Sequence, residues 1–147
     1  MVFLGLSRAL GQSSSVSLAL ESASHNANFS LAPGLNAPLL AALLERRAAT
    51  GASAAVLAIT PTSRESDALR NALVTLVPSA QIVTFPAWET LPHERLSPSA
   101  EIVGARFDAL RTITAWTGEA PLVVLASVRA ALQPLASNLL DVEDRKS

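Results

Sequence analysis

Three short apolar runs, 54–60 (AAVLAIT), 80–85 (AQIVTF) and 120–126 (APLVVLA), are separated by longer segments with helical spacing. That alternation constrains the fold more than any other feature. Continuous apolar runs of this length, rich in β-branched residues, read as strands buried on both faces. Between the first two, 62–77 puts Leu69, Ala72, Leu73 and Leu76 on one helical face, with Thr62 and Glu65 at capping-box spacing. The segment 97–116 turns Ile102, Val103, Phe107, Leu110 and Ile113 inward, with Ser97 as cap and Pro98 in the first helical position. Upstream, 37–51 is a further helix: Pro38 sits in its first turn, Leu39, Leu40, Leu43 and Leu44 make its stripe, and Gly51 stands where it must stop. A β-prone run at 28–33 precedes it, and Ser127 can cap a last short helix over 128–132. Strand alternating with helix predicts an α/β fold, a parallel sheet of about four strands flanked by helices. Right-handed crossovers would bring the strand C-terminal ends, and any site, to one edge.

The first 27 residues read as two short helices flanking a serine-rich connection at Ser13, Ser14 and Ser15. Arg8 and those serines interrupt the apolar run, so neither a secretion signal nor a membrane span is expected. With half its residues apolar and 16% charged, the chain has the means to fold. It has no cysteine, which removes disulfides, thiolate metal sites and a cysteine nucleophile, and fits a cytoplasmic protein. A net charge of −1 offers no basic field to nucleic acid. Arg46, Arg47, Arg64 and Arg70 lie opposite the leucines and read as a solvated face.

Parallel sheets of this kind often bind nucleotides, so the phosphate loop is the test. It would fall at 32–38, APGLNAP. Triphosphate binding needs small residues whose N–H groups wrap the phosphates, a lysine for their charge and a hydroxyl for magnesium. This stretch has Gly34 alone, Pro33 and Pro38 each lack a donor, and the sole lysine of the chain is Lys146. No cofactor is therefore expected for this chain; the alternative is a P-loop-like ATPase or helicase domain with an unrecognised phosphate loop. His25 and His93 match no metal-binding spacing. Glu89 and Glu94 could pair as acid and base, but read more simply as partners for Arg95 or Arg106. Ser127 is flanked by Ala126 and Val128, not by the glycines of a nucleophile elbow.

One stretch fits no periodic element: FPAWETLPHERLSP, 85–98. Pro86, Pro92 and Pro98 stiffen it, Trp88 and Leu91 can anchor it, and Glu89, His93, Glu94 and Arg95 stay polar. The residues alone leave two readings open, a recognition surface or a stiff loop holding its own domain together.

That stretch, followed by SAEIVGARFDALRTI and PLVVLASVRAALQPL and preceded by VLAITPTSRESDALRNAL, resembles the N-terminal region of bacterial transcription-repair coupling factors, the Mfd family. The wording is nearest the actinobacterial branch, and the likeness covers 28–140. The resemblance implies a degenerate RecA/P-loop-like lobe similar to domain 1 of the excision protein UvrB, incomplete here, with a phosphate loop that has lost its catalytic residues. It divides the chain into an N-terminal helical segment (1–27), the lobe (28–140) and a truncated tail (141–147). It implies a non-catalytic module for transcription-coupled nucleotide excision repair. The full-length family protein is an ATP- and magnesium-dependent DNA translocase that meets UvrA and RNA polymerase. DNA contact is expected only through that parent, and membrane contact not at all. The family's UvrA-contacting insert would begin near or after residue 140, so no UvrA-binding residue carries over. Under this reading 85–98 is a contact surface, with Trp88 and Leu91 as anchors, Glu89 and His93 beside them, and Arg95 as the charged contact.

Overall fold

All three apolar runs become strands. In the computed structural model, residues 12–22, 28, 30–32, 34–51, 54–90 and 97–135 are described, together with Gly5 and Ala9. The elements are α1 (Ser14–Ser22), α2 (Asn36–Ala49), β1 (Ala55–Thr60), α3 (Ser63–Leu76), β2 (Gln81–Phe85), α4 (Ala100–Thr114), β3 (Leu122–Ser127) and α5 (Val128–Leu132). The sheet has three parallel strands in the order β1-β3-β2. Ala55 lies opposite Leu122 and Thr60 opposite Ser127 on one side of β3; Gln81 lies opposite Leu122 and Phe85 opposite Ala126 on the other. The architecture is the α/β sheet flanked by helices that the alternation predicts.

The chain crosses from β1 to the far edge and returns to the middle. Two crossovers of one hand running in opposite directions must place their helices on opposite faces. The packing follows. On one face Leu73, Leu76 and Val77 from α3 and its end meet Ala37, Ala41 and Leu44 of α2, with Val123 and Leu125 beneath. On the other, Ala109 of α4 packs with Val83 and Leu122, and Phe85, Ile113, Trp116 and Val124 gather around them.

Among the described residues no fourth strand forms. Residues 28 and 30–32 are exposed and lie outside any strand, and Gly34 adopts φ 89 just before α2. A positive φ ends extended pairing there, and without a partner a short β-prone run has nothing to hold it. At the N-terminus Ser13 lies before the helix, as a connection would, but Ser14 and Ser15 belong to α1, with Ser17 N–H bonding Ser13 O at 2.8 Å. Serine is favoured at a helix start.

Local signals set the other helix ends. Glu65 N–H donates to Thr62 Oγ1 at 3.3 Å and Thr62 N–H to Glu65 Oε2 at 3.2 Å, which completes the capping box of α3. Thr62→Ala should therefore cost about 1 kcal/mol in urea unfolding, with the folded far-UV spectrum unchanged. Gly51 takes φ 68 after α2, as a helix stop requires. In α4 the cap is Ser99, not Ser97; its Oγ accepts from Ile102 N–H at 3.3 Å. Pro98 holds the residue before it extended, so the helix starts one serine later. The inward face of α4 also differs from expectation: Arg106 is buried at 1% exposure, while Phe107 is 39% exposed.

β1 departs from its sequence pattern in one respect. Val56 and Ala58 pack against the α2–α3 side, but Leu57 and Ile59 are 61% and 51% exposed. An apolar run implies cover on both faces; here β1 is an edge strand, and α4 packs over β2 instead. The outer half of that face stays open.

Candidate functional site

All three strands end along one edge, at Thr60, Phe85 and Ser127. The proline-rich segment leaves β2 there, and α5 starts beside it because Ser127 Oγ accepts from Ala130 N–H at 3.2 Å. That cap is Ser127's role. The short helix then faces residues 86–90 across the edge, and a set of side chains fixes their backbone.

Gln133, at the end of α5, grips Trp88 from both sides. Trp88 N–H donates to Gln133 Oε1 at 2.6 Å, and Gln133 Nε2 donates back to Trp88 O at 3.3 Å. Arg129, one helical turn earlier, donates from Nη2 to Glu89 O at 3.1 Å. From α4, Arg106 Nη1 donates to Pro86 O at 2.7 Å. Each contact replaces a ladder bond that the segment gave up on leaving the sheet, which is how an irregular stretch keeps its polar backbone satisfied.

Arg106 does more than hold one carbonyl. Its guanidinium carbon lies 4.1 Å from the centroid of the Phe85 ring and 4.3 Å from that of Trp88, so the cation is stacked between two aromatic faces. Nε and Nη2 are buried with no hydrogen-bond partner. Burial pushes the guanidinium pKa below its ordinary value, although an arginine stays charged at any pH a folded protein tolerates.

The expected pairing of Glu89 with Arg106 does not form. Glu89 is exposed, and Arg106 donates to Pro86 O instead. Trp88 is half-buried, with its ring over Arg106. Leu91, His93, Glu94 and Arg95 lie outside the described residues, as does His25. Among the described residues no group of three His, Cys, Asp or Glu side chains could hold a metal ion, and no helix is long and apolar enough to cross a membrane.

Sequence reasoning named Arg106 only as a carboxylate partner, and missed Arg129 and Gln133. For Arg106 a signal existed: 102, 106, 109 and 113 continue one helical stripe, and only its charge argued for the other side. Gln133 carried no signal, since its partner lies 45 residues away.

Residues 34–38, where a phosphate loop would fall, border a cavity. This cavity of about 700 Å³ lies between α2, α3 and the end of β1, and Gly34 and Asn36 form part of its wall. Leu20, Leu31, Leu39, Leu40, Leu43 and Leu69 are among its other lining residues. Among the described residues its only charged lining residue is Glu65, already committed to the capping box. Thr60 is committed as well: its hydroxyl donates to Thr62 O at 2.8 Å and lies 2.6 Å from Ser66 Oγ, which must then be the donor to it. Leu35 N–H bonds Ala32 O at 3.1 Å. Among the described lining residues there is no lysine or arginine for a triphosphate's charge, and the one carboxylate would repel it.

No family model matches the chain. Among curated proteins it is similar to the transcription-repair-coupling factors of Mycobacterium bovis and Mycobacterium tuberculosis, with 43% identity to each over 88 residues. The match covers 57% of this chain and 7% of either relative, so the chain spans a small part of their length. This likeness agrees with the family that the W-E-T-L-P stretch resembles. More than half of this chain is thus similar in sequence to one region of the transcription-repair-coupling factors.

Proposed function

We propose that this chain is a non-catalytic, UvrB-like module of a transcription-repair coupling machine, which works by docking and not by turning over nucleotide. The observation that carries the proposal is the 43% identity to transcription-repair-coupling factors. Two features of the fold support it. The cavity beside Gly34 and Asn36 has no cation to hold phosphate among the described residues, and the exposed Leu57 and Ile59 leave an apolar strip on an edge strand that another body could cover. The partners are the remaining domains of such a factor and, through them, UvrA, RNA polymerase and DNA. The segment 85–98 is the second contact surface, with Trp88, Glu89, Leu91, His93 and Arg95 as its candidate residues.

Pull-down with purified UvrA and with the remaining domains of a mycobacterial transcription-repair-coupling factor tests the docking role. Retention of either supports it; a folded chain that retains neither overturns it. The non-catalytic part has its own test. Millimolar ATP with magnesium should leave the melting temperature unchanged, whereas a site filled at 100 times its Kd would add about 2.7 kcal/mol of stability. A clear rise in Tm would establish a nucleotide site that these residues do not display.

A further inference from the structure

We infer that Arg106 is the positioning residue of the 86–90 ledge: its stacked guanidinium sets the orientation of the Trp88 ring and so the shape that this segment presents. The inference rests on the reading of 85–98 as a contact surface. It adds the residue that controls that surface, which lies on α4, outside the segment itself.

The argument begins with what is unusual about burying this side chain. Arg106 is 1% exposed, at a stripe position where an apolar residue would pack without penalty. A guanidinium there loses its hydration; among the described residues Pro86 O accepts from Nη1, while Nε and Nη2 are buried without a partner. Core packing alone gives no reason for such a residue. What the guanidinium supplies, and an aliphatic side chain cannot, is a flat cation that attracts the faces of two rings at once. Those rings belong to Phe85, the last residue of β2, and Trp88, three residues into the irregular segment. The Pro86 carbonyl, held by the same guanidinium, lies between them in the chain. Arg106 therefore reads the direction in which the chain leaves the sheet.

The other clamps do a different job. Gln133 and Arg129 hold the main chain of Trp88 and Glu89, so they fix where the backbone runs. Neither of these bonds involves the indole. Ring orientation is left to Arg106, which among the described residues is the side chain with a cation over that face.

The test uses the whole chain labelled with 5-fluorotryptophan. Its two tryptophans, Trp88 and Trp116, give two ¹⁹F signals, assigned with Trp116→Phe. Trp116 donates its Nε1–H to Ala120 O at 2.8 Å, a bond independent of Arg106, so its signal reports that the fold is intact. Arg106→Met and Arg106→Lys should both shift the Trp88 signal and leave that of Trp116 in place. Lysine keeps the charge, but a compact ammonium cannot stack flat between two rings. Retention of the partner found by pull-down should fall about tenfold, the scale of a desolvated cation–π contact. A Trp88 signal that stays put in both folded variants overturns the inference. If neither variant folds, the unmodified chain decides. A stacked Arg106 guanidinium should show slowly exchanging protons shifted upfield by both rings, and ordinary solvent-averaged signals would overturn the proposal. Should the Trp88 signal shift while partner retention is unchanged, Arg106 still positions the ring and the contact-surface reading is what fails.

Discussion

Replacing Leu125 by alanine is expected to cost about 3 kcal/mol of folding free energy, the usual scale for emptying a fully buried leucine site. Leu125 has no exposed surface, sits on the central strand, and touches the core formed by α2 and α3. Neighbours on a three-stranded sheet have little freedom to collapse into the space, because β3 is bonded along both sides. The control is Leu57→Ala, one strand away on β1. With 61% of its surface exposed, that leucine should cost less than about 0.5 kcal/mol. Urea unfolding measures both, and the slope should stay constant, so that the midpoint carries the whole change. Equal losses at the two positions would mean that the Leu57 face is covered in solution, contrary to its exposure here.

The pair also shows what the residues could and could not tell in advance. Periodicity placed the three strands, the four helices after residue 36 and most of their buried positions, because each depends on neighbours within one or two turns. The capping box at Thr62, the glycine stop at 51 and the Ser127 cap are local as well, and each forms. What periodicity could not supply was the order of strands. AVLAIT would read the same at the centre of a sheet as at its edge, so the exposure of Leu57 and Ile59 depends on a crossover that no residue of β1 encodes. The same limit applies to the ledge. Trp88 and its prolines stand out in the sequence, yet their clamps come from 20 to 45 residues away, through a glutamine and two arginines with no local mark. Arg106 shows that a single rule misleads when another wins: its charge argues for solvent, and two aromatic faces keep it inside.

Leu57→Lys combined with Ile59→Lys should leave the isolated chain folded and remove its grip on the remaining domains of a transcription-repair-coupling factor. Both side chains already stand in water, so lysine loses nothing there on folding. In a docked state the same positions would be buried, and each apolar side chain covered adds about 1.5 kcal/mol or more. Losing two of them weakens binding by at least about 100-fold, before the cost of burying two ammonium groups is counted. β1 also carries no charge, proline or glycine of its own, the usual devices that keep an edge strand from pairing with strangers. An edge so unprotected makes sense where something permanent covers it. The double variant should accordingly be less prone to self-association at high concentration, as sedimentation would show. Calorimetric titration with the remaining domains gives the decisive number: an unchanged Kd in a folded double variant would remove this face from the docking surface, and the ledge at 86–90 would then have to account for binding alone.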